Sequence, residues 1–398
     1  MCEDSNGAYD PAEQERRVIA QAYIVGAYEL PYRTAPDRSV AQMHAEAAAG
    51  ALADAGLSFA DVDGFFCAGD ATGFGPISLA DYMNLRLRHL DSTEIGGSSY
   101  LAHVGHAAEA IAAGRCDVAL ITLAGRPRQG QRGGLPFPGP EAPFEAPYRP
   151  TTTNVYAMSA RRHMHDYGLN SEQLAWVKVA ASHHAQHNPD AFLRKVVTVD
   201  DVLASPIVAD PFHLLDCCVV TDGGGALVVT RPEIARRSPR PHVAVRGRGE
   251  SYKGQNGGWI DLGSSAGVTS GRAAFEEAGV TPADIRYASI YDSFTFTVVL
   301  TLEDLGFCER GKGGRFVADG NLISGVGRLP FNTDGGGLCN NHPANRGGIT
   351  KVIEAVRQLR GEAHPAVQVP DCHLALAHGT GGFLGSRHGS ATLILERE

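Results

Sequence analysis

The chain has 398 residues, 43% of them apolar, with 35 basic against 44 acidic side chains and a formal net charge of −9. That length exceeds what one hydrophobic core organises, so two similar-sized units or one large α/β assembly are expected. The acidic balance, without a basic stripe, argues against nucleic acid as a partner, and no apolar run approaches the roughly 18 residues of a membrane span.

The first 17 residues, MCEDSNGAYDPAEQERR, are polar and lack the apolar centre of a signal peptide. They read as a flexible tail on a cytoplasmic protein. From there the chain echoes itself. Residues 51–63 (ALADAGLSFADVD) describe a helix stopped by Gly56, a capping Ser58 and a step into the apolar GFFCAG. Residues 274–286 (AFEEAGVTPADIR) repeat the plan before YASIYD, with Ala278-Gly279 and Ala283-Asp284 matching Ala55-Gly56 and Ala60-Asp61. The glycine supplies the left-handed position that ends a helix, so one supersecondary unit is used twice. A small-residue helix, a glycine stop and a buried strand follow at 101–125 and again at 347–377. Each half closes on a glycine turn and a strand, GGGALVVT at 223–230 and HGSATLILE at 388–396. Helices alternating with short apolar runs imply helix-covered sheets. The halves are expected at about 18–232 and 240–398, joined by the polar, proline-containing RPEIARRSPRP (231–241).

One stretch breaks the pattern. Residues 126–155 are rich in Pro and Gly, and helical segments follow, so an insert of about 126–208 is expected to cover a site. Phe137, Phe144, Tyr148 and Tyr156 in it are expected to be buried.

Eight cysteines (Cys2, Cys67, Cys116, Cys217, Cys218, Cys308, Cys339 and Cys372) form no CxxC pair, which is neither a disulfide framework nor a zinc ribbon. Among sixteen histidines, His163 with His165, and His183, His184 and His187, invite a metal reading. No HExxH-type carboxylate accompanies them, and AASHHAQHNP reads as a helix end, so no metal is expected.

Two blocks carry a likeness: ADPFHLLDCCVVTDGGGALVV (209–229) and YDSF…LEDLGFC…GGRF…DGGGLCNNHPANRGG (291–348). Together with the duplication they resemble the thiolase superfamily, in its sterol-carrier-protein-X-like branch. The resemblance implies an α/β, duplicated five-layer α-β-α-β-α fold, with the loop insert in the first half, and a homodimer. It also implies a nucleophilic cysteine where this chain has Gly97, in EIGGSSYL, and a second where it has about Gly379, in AHGTGG. The His-Asp-Cys-Phe motif is here Tyr291-Asp292-Ser293-Phe294, and the Gly-His-Pro histidine matches His342.

Without either cysteine, no thiolate holds an acyl group. What remains is machinery for a thioester enolate. Tyr291, His342 and His378 are the candidate catalytic side chains, with Gly97, Ser98 and Gly381 as oxyanion-facing backbone at a helix start and a glycine turn. Ser264, Ser265 and Asn341 are candidate substrate contacts, and Asp292 is expected to orient its loop. The chain is similar to the thiolase-like aldolases of steroid side-chain degradation, which lack these cysteines and keep the tyrosine. That likeness implies retro-aldol cleavage of a 17-hydroxy steroid acyl-CoA to a ketone and propionyl-CoA. It further implies a small OB-fold partner that binds CoA-linked substrates, and no cofactor beyond the coenzyme A of the substrate. Those aldolases carry a second tyrosine at the position of His342, so the pattern is matched at one catalytic position of two. An acyltransferase using Ser98, Ser99 or Cys339, and a non-catalytic acyl-CoA or lipid binder, stay open at this point. So do the division of acid and base between Tyr291 and His342, and the acyl tail.

Overall fold

The computed structural model describes residues 22–69, 71, 73–130, 142–148, 151–254, 256–343 and 347–398. The first half runs β1 (Tyr23–Glu29), α1 (Val40–Ala55), β2 (Gly64–Phe66), α2 (Pro76–Tyr82), β3 (His89–Asp91), α3 (Ser99–Ala112) and β4 (Val118–Gly125). An insert follows, with α4 (Ala142–Glu145), α5 (Thr152–Tyr167), α6 (Ser171–Ala185), α7 (Val199–Ala204) and the small hairpin β5 (Ile207–Ala209) and β6 (Phe212–His213). Then β7 (Gly223–Thr230) closes the half. The second half comprises α8 (Pro232–Ala235), β8 (Val243–Lys253), α9 (Gly267–Ala278), β9 (Tyr287–Ile290), α10 (Thr295–Asp304), α11 (Gly313–Val317), α12 (Gly336–Cys339), α13 (Gly348–Arg360), β10 (Leu374–Phe383) and β11 (Ser386–Arg397).

The strands lie in the order β3-β2-β4-β7-β1-β8-β11-β10-β9. Going outward from the centre, β1 pairs antiparallel with β7, β7 with β4, and β4 runs parallel to β2. On the other side β8 pairs antiparallel with β11, β11 with β10, and β10 runs parallel to β9. The two series are the same unit back to back. They are joined by the ladder pairs Tyr23 with Ala244 and Ile24 with Val243, and by the Val245 amide donating to the Ala22 carbonyl at 3.1 Å. Between the two sheets lie α3 and α13, each in contact with strands of both halves; α1 covers one outer face and α9 the other. Those are the five layers.

Local chemistry explains the repeat. Gly56 and Gly279 end α1 and α9 in the left-handed conformation, at φ 69° and 65°, and capping boxes at Ser58 and Thr281 start the short turns into β2 and β9. Strand glycines set the layer spacing: a Cβ on Gly26 would strike the Ala51 carbonyl of α1, and one on Gly247 the Ala274 carbonyl of α9. The helices therefore seat backbone against backbone.

The insert does not cover its own half. Tyr156, Ala160, Leu174 and Val177 share one core with Phe294, Phe296, Val299 and Leu302 of the second half, and His163 Nε2 meets Glu303 at 3.0 Å. Burial holds for Tyr156 at 2% exposure, but Phe144 and Tyr148 are 78% and 85% exposed. They sit on and just after a single helical turn whose Glu145 pairs with Arg387, too short to seat rings in the core. Phe137 lies outside the described residues.

Buried imidazoles make the fold acid-sensitive. Burial lowers His44, His378 and His388 to about 3, and His103, His184 and His342 to about 4. Each stays neutral in the folded chain while its unfolded counterpart takes a proton near pH 6.5. Their contribution is intact above about pH 6.5 and is lost as pH falls toward those folded-state values, by up to about 1.4 kcal/mol per pH unit for each group. The melting temperature should fall steadily between pH 7.5 and 5. A flat profile would contradict the burial.

Candidate active site

Tyr291 follows directly on β9, its amide donating to the His378 carbonyl of β10 at 2.9 Å. Side chains alternate along the strand, so Tyr291, like Tyr287, faces the middle layer. His342 stands in the turn after α12, where its amide donates to Thr221 Oγ1 at 2.9 Å. Thr221 in turn donates to Asn341 Oδ1 at 2.7 Å, and Asn341 Nδ2 to Glu29 at 2.8 Å. The turn itself hangs on Asp292. Its carboxylate accepts from the amides of Gly337 at 2.7 Å and Leu338 at 3.1 Å and from the buried Lys351 ammonium at 3.1 Å. Gly336, at φ 61°, has no room for a Cβ against that carboxylate, which explains the glycine run at 335–337.

This framework brings the Tyr291 hydroxyl to 2.9 Å from His342 Nε2. Burial raises Tyr291 well above the usual tyrosine value of 10, and the neighbouring Cys218 and Tyr156 add to it; the Gly347 amide at the start of α13 acts the other way. Burial lowers His342 to about 4, with Asp292 pulling its value up and Lys351 pushing it down. At neutral pH both are uncharged, so the phenol donates to the imidazole.

Gly97 explains what became of the nucleophile position. A Cβ built there would lie 2.6 Å from Tyr291 Cζ and would strike the Thr380 carbonyl. The space a side chain at 97 would need holds the phenol ring. Beside it, the turn at 95–97 packs on Gly381 so closely that a Cβ on Gly381 would meet the Ile95 carbonyl. The two glycine turns therefore meet backbone to backbone at the start of α3. Ser98 is buried and donates to the Ile95 carbonyl at 2.8 Å. Ser99 donates to the Gly96 carbonyl at 2.8 Å and accepts from the Ile95 amide. Both hydroxyls are committed to shaping the turn.

The other candidates lie elsewhere. His378 shares its sheet face with Leu374 and Leu376, toward α9, where its Nδ1 meets Thr392 Oγ1 at 2.9 Å. Strand parity puts it on the opposite face from the Tyr291–His342 pair. Ser265 binds Asp304 and caps the start of α9, while Ser264 binds Asp261. Asn341 is buried between Thr221 and Glu29, supporting the turn. Sequence reasoning missed Tyr156, Thr221, Cys218 and Lys351. Thr221 and Cys218 fall within the 209–229 block and so carried a signal, as did Tyr156 as an aromatic of the site-covering insert; Lys351 carried none.

Cys339 is buried, its thiol pushed up by burial and lying beside the Lys178 ammonium. Burial pushes Cys116 up to about 11, and Cys217, Cys308 and Cys372 up to about 12. The thiolate is the reactive form, so iodoacetamide at pH 7.5 should leave most turnover intact. Rapid, complete loss prevented by substrate would instead give a thiol the central part. Among the described residues no group of three or more His, Cys, Asp or Glu could hold a metal, and His187 stacks on His364 with ring centroids 5.0 Å apart. Among the same residues, no helix is long and apolar enough to cross a membrane.

A two-fold repeated five-layer α/β fold, with glycine turns from both halves converging on one site, defines the thiolase class. The match to the thiolase C-terminal domain-like family covers residues 251–397. A 17-hydroxy-3-oxo-4-pregnene-20-carboxyl-CoA lyase of Mycobacterium tuberculosis is 36% identical over 385 residues, 91% of this chain and 97% of the relative. A steroid side-chain-cleaving aldolase of Thermomonospora curvata is also 36% identical, over 85% of this chain and 90% of the relative. The solved structure of an Ltp2-ChsH2(DUF35) aldolase aligns with a TM-score of 0.85 at 33% identity, covering 95% of this chain and 98% of that one. The chain belongs to the thiolase superfamily, in its branch of thiolase-like lyases without the catalytic cysteines.

Proposed function

We propose that the protein is a CoA-dependent carbon–carbon lyase that cleaves a β-hydroxyacyl-CoA by retro-aldol reaction. The substrate class is a 17-hydroxy steroid with a three-carbon acyl-CoA side chain, and the products are the 17-ketone and propionyl-CoA. The observation that carries this reading is the Tyr291 phenol, which fills the space a side chain at Gly97 would need and is hydrogen-bonded to His342.

Tyr291 takes the proton of the substrate hydroxyl as it passes its own proton to His342 Nε2, the one acceptor nitrogen of the neutral imidazole. The C–O bond becomes a carbonyl, the adjacent C–C bond breaks, and its electron pair passes into the thioester as an enolate. Tyr291 protonates the enolate carbon and is reprotonated by His342 across their hydrogen bond. The alcohol proton thus ends on the propionyl carbon, and no acceptor or cofactor is consumed beyond the coenzyme A of the substrate. The transient phenolate faces the Gly347 amide at the start of α13. Backbone donors around Gly97, Ser98 and Gly381 serve the enolate oxygen. Both halves contribute, 18–232 through Gly97 and Thr221 and 240–398 through Tyr291 and His342.

The protein acts in the cytoplasm as a homodimer with a small OB-fold partner that binds CoA-linked substrate. The dimer is supported by the edge strand β3 and the exposed Ile77 and Tyr82 of the neighbouring α2. Support for the partner comes from the exposed Tyr148 and Trp259 near the β10–β11 hairpin, and from the second component in the name of the related structure. The test is incubation with 17-hydroxy-3-oxo-4-pregnene-20-carboxyl-CoA, with and without such a partner. Ketone and propionyl-CoA in equal amounts are expected. Acyl transfer to free CoA, or binding without turnover in both conditions, would overturn the reading.

A further inference from the structure

We propose that Lys351 is a positioning residue of the proton relay: its buried ammonium balances the Asp292 carboxylate and so keeps His342 free to accept the phenol proton. The inference deepens the retro-aldol reading and rests on it.

Lys351 lies in the first turn of α13 and is 2% exposed. That helix starts against the reacting centre, where a Cβ on Gly348 would strike the Gly97 carbonyl. An ammonium is doubly out of place there. Burial strips it of water, and the positive end of a helix repels a cation. Its ion pair with Asp292, at 3.1 Å, does not account for it through stability, because apolar side chains of similar volume do as well. Asp292 follows Tyr291 in the chain and stands beside the imidazole. The point where a Cβ on Gly337 would fall lies 3.0 Å from Asp292 Oδ1 and 3.2 Å from His342 Cδ2. The carboxylate and the ring carbon bonded to Nε2 therefore flank the same gap.

A lone carboxylate in that place would hold a proton on the imidazole. A protonated His342 cannot accept from Tyr291, and the relay would stop. Lys351 donates to the same Oδ1 and balances its charge. The two act on His342 in opposite senses, Asp292 raising it and Lys351 lowering it. The other charged groups around the turn are engaged elsewhere. Asp334 accepts from Asn340 and from the Gly336 amide, each at 2.9 Å. Glu29 pairs with Arg33 at 2.9 Å, Glu354 pairs with Arg357, and the Lys178 ammonium of α6 donates to the Leu338 carbonyl at 2.6 Å. Burial pushes the Cys218 and Cys339 thiols up, so both stay uncharged. Lys351 touches no substrate; it acts through Asp292 on His342.

Lys351→Gln keeps a donor for Asp292 and removes only the charge. In protein with histidine carbon-13 labelled at Cε1, the His342 signal is identified by its loss in His342→Gln. It should titrate at about 4 in the wild type and between about 5 and 7 in Lys351→Gln, as one unbalanced charge requires. There kcat should gain an acid limb in the same range and stay near wild type at pH 8.5. Adding Asp292→Asn removes both charges and should return the limb to below about pH 5, a recovery that a purely structural part cannot give. Should Lys351→Gln not fold, Asp292→Asn alone answers. Its unbalanced ammonium should weaken His342 as an acceptor and lower kcat about 10-fold at every pH from about 6 to 9; an acid limb inside that window would overturn the inference. So would an unmoved His342 signal in Lys351→Gln, or a loss of kcat there that is equal at every pH. A His342 signal that moves as expected, in a protein that cleaves no β-hydroxyacyl-CoA, would discard the lyase reading and leave the charge balance standing.

Discussion

Tyr291→Phe should lower turnover by about 10²–10⁴-fold, or about 3–5 kcal/mol of barrier, while KM changes little. The substitution removes one oxygen. The ring that fills the space beside Gly97 stays, and so does the packing around it, so the fold should survive with its melting temperature near wild type. What is lost is the group that hands a proton to the enolate carbon. Substrate still binds through its CoA and its tail, which is why the loss falls on kcat. Retention of more than about a third of wild-type turnover, far below the usual acid–base contribution, would make Tyr291 a packing residue.

His342→Gln should be comparably damaging. Glutamine can still accept a hydrogen bond from the phenol, yet it cannot hold the proton that the phenol passes on. Because the two residues form one relay across a 2.9 Å hydrogen bond, the double variant should be little worse than either single one, as groups that act as a unit are not additive. Steady-state kinetics of all three variants gives the answer, and losses that multiply would separate the residues into independent contributors. The pH profile adds a check. His342 is neutral above about 4 and Tyr291 stays protonated past 10, so kcat should be flat from about pH 6 to 9 wherever the fold is intact. An acid limb centred near 6.5 would mean that His342 is solvated and not buried.

Much of this was legible before the coordinates, for reasons that can be named. Gly56 and Gly279 announce helix ends because the left-handed conformation favours glycine, and their equal spacing from the following strands exposed the duplication. Tyr291 and His342 both stand in the second motif block, although they are 51 positions apart in the chain. His378 misled because its face is decided by strand parity: shifted by one position, it would have faced the middle layer. The exposure of Phe144 and Tyr148 misled because an aromatic residue seeks burial only if a surface is offered, and a one-turn helix offers none. Tyr156 had no motif. Its place beside Tyr291 follows from the insert docking across onto the opposite half, a long-range event no local pattern encodes.

The central claim is that this site moves protons and never carries an acyl group, because a phenol occupies the space beside Gly97. Intact-protein mass spectrometry on samples quenched during steady-state cleavage tests it most directly. The account predicts the unmodified mass at every time point, with ketone and propionyl-CoA accumulating together. A population heavier by one acyl group, appearing before product and cleared by free CoA, would contradict it.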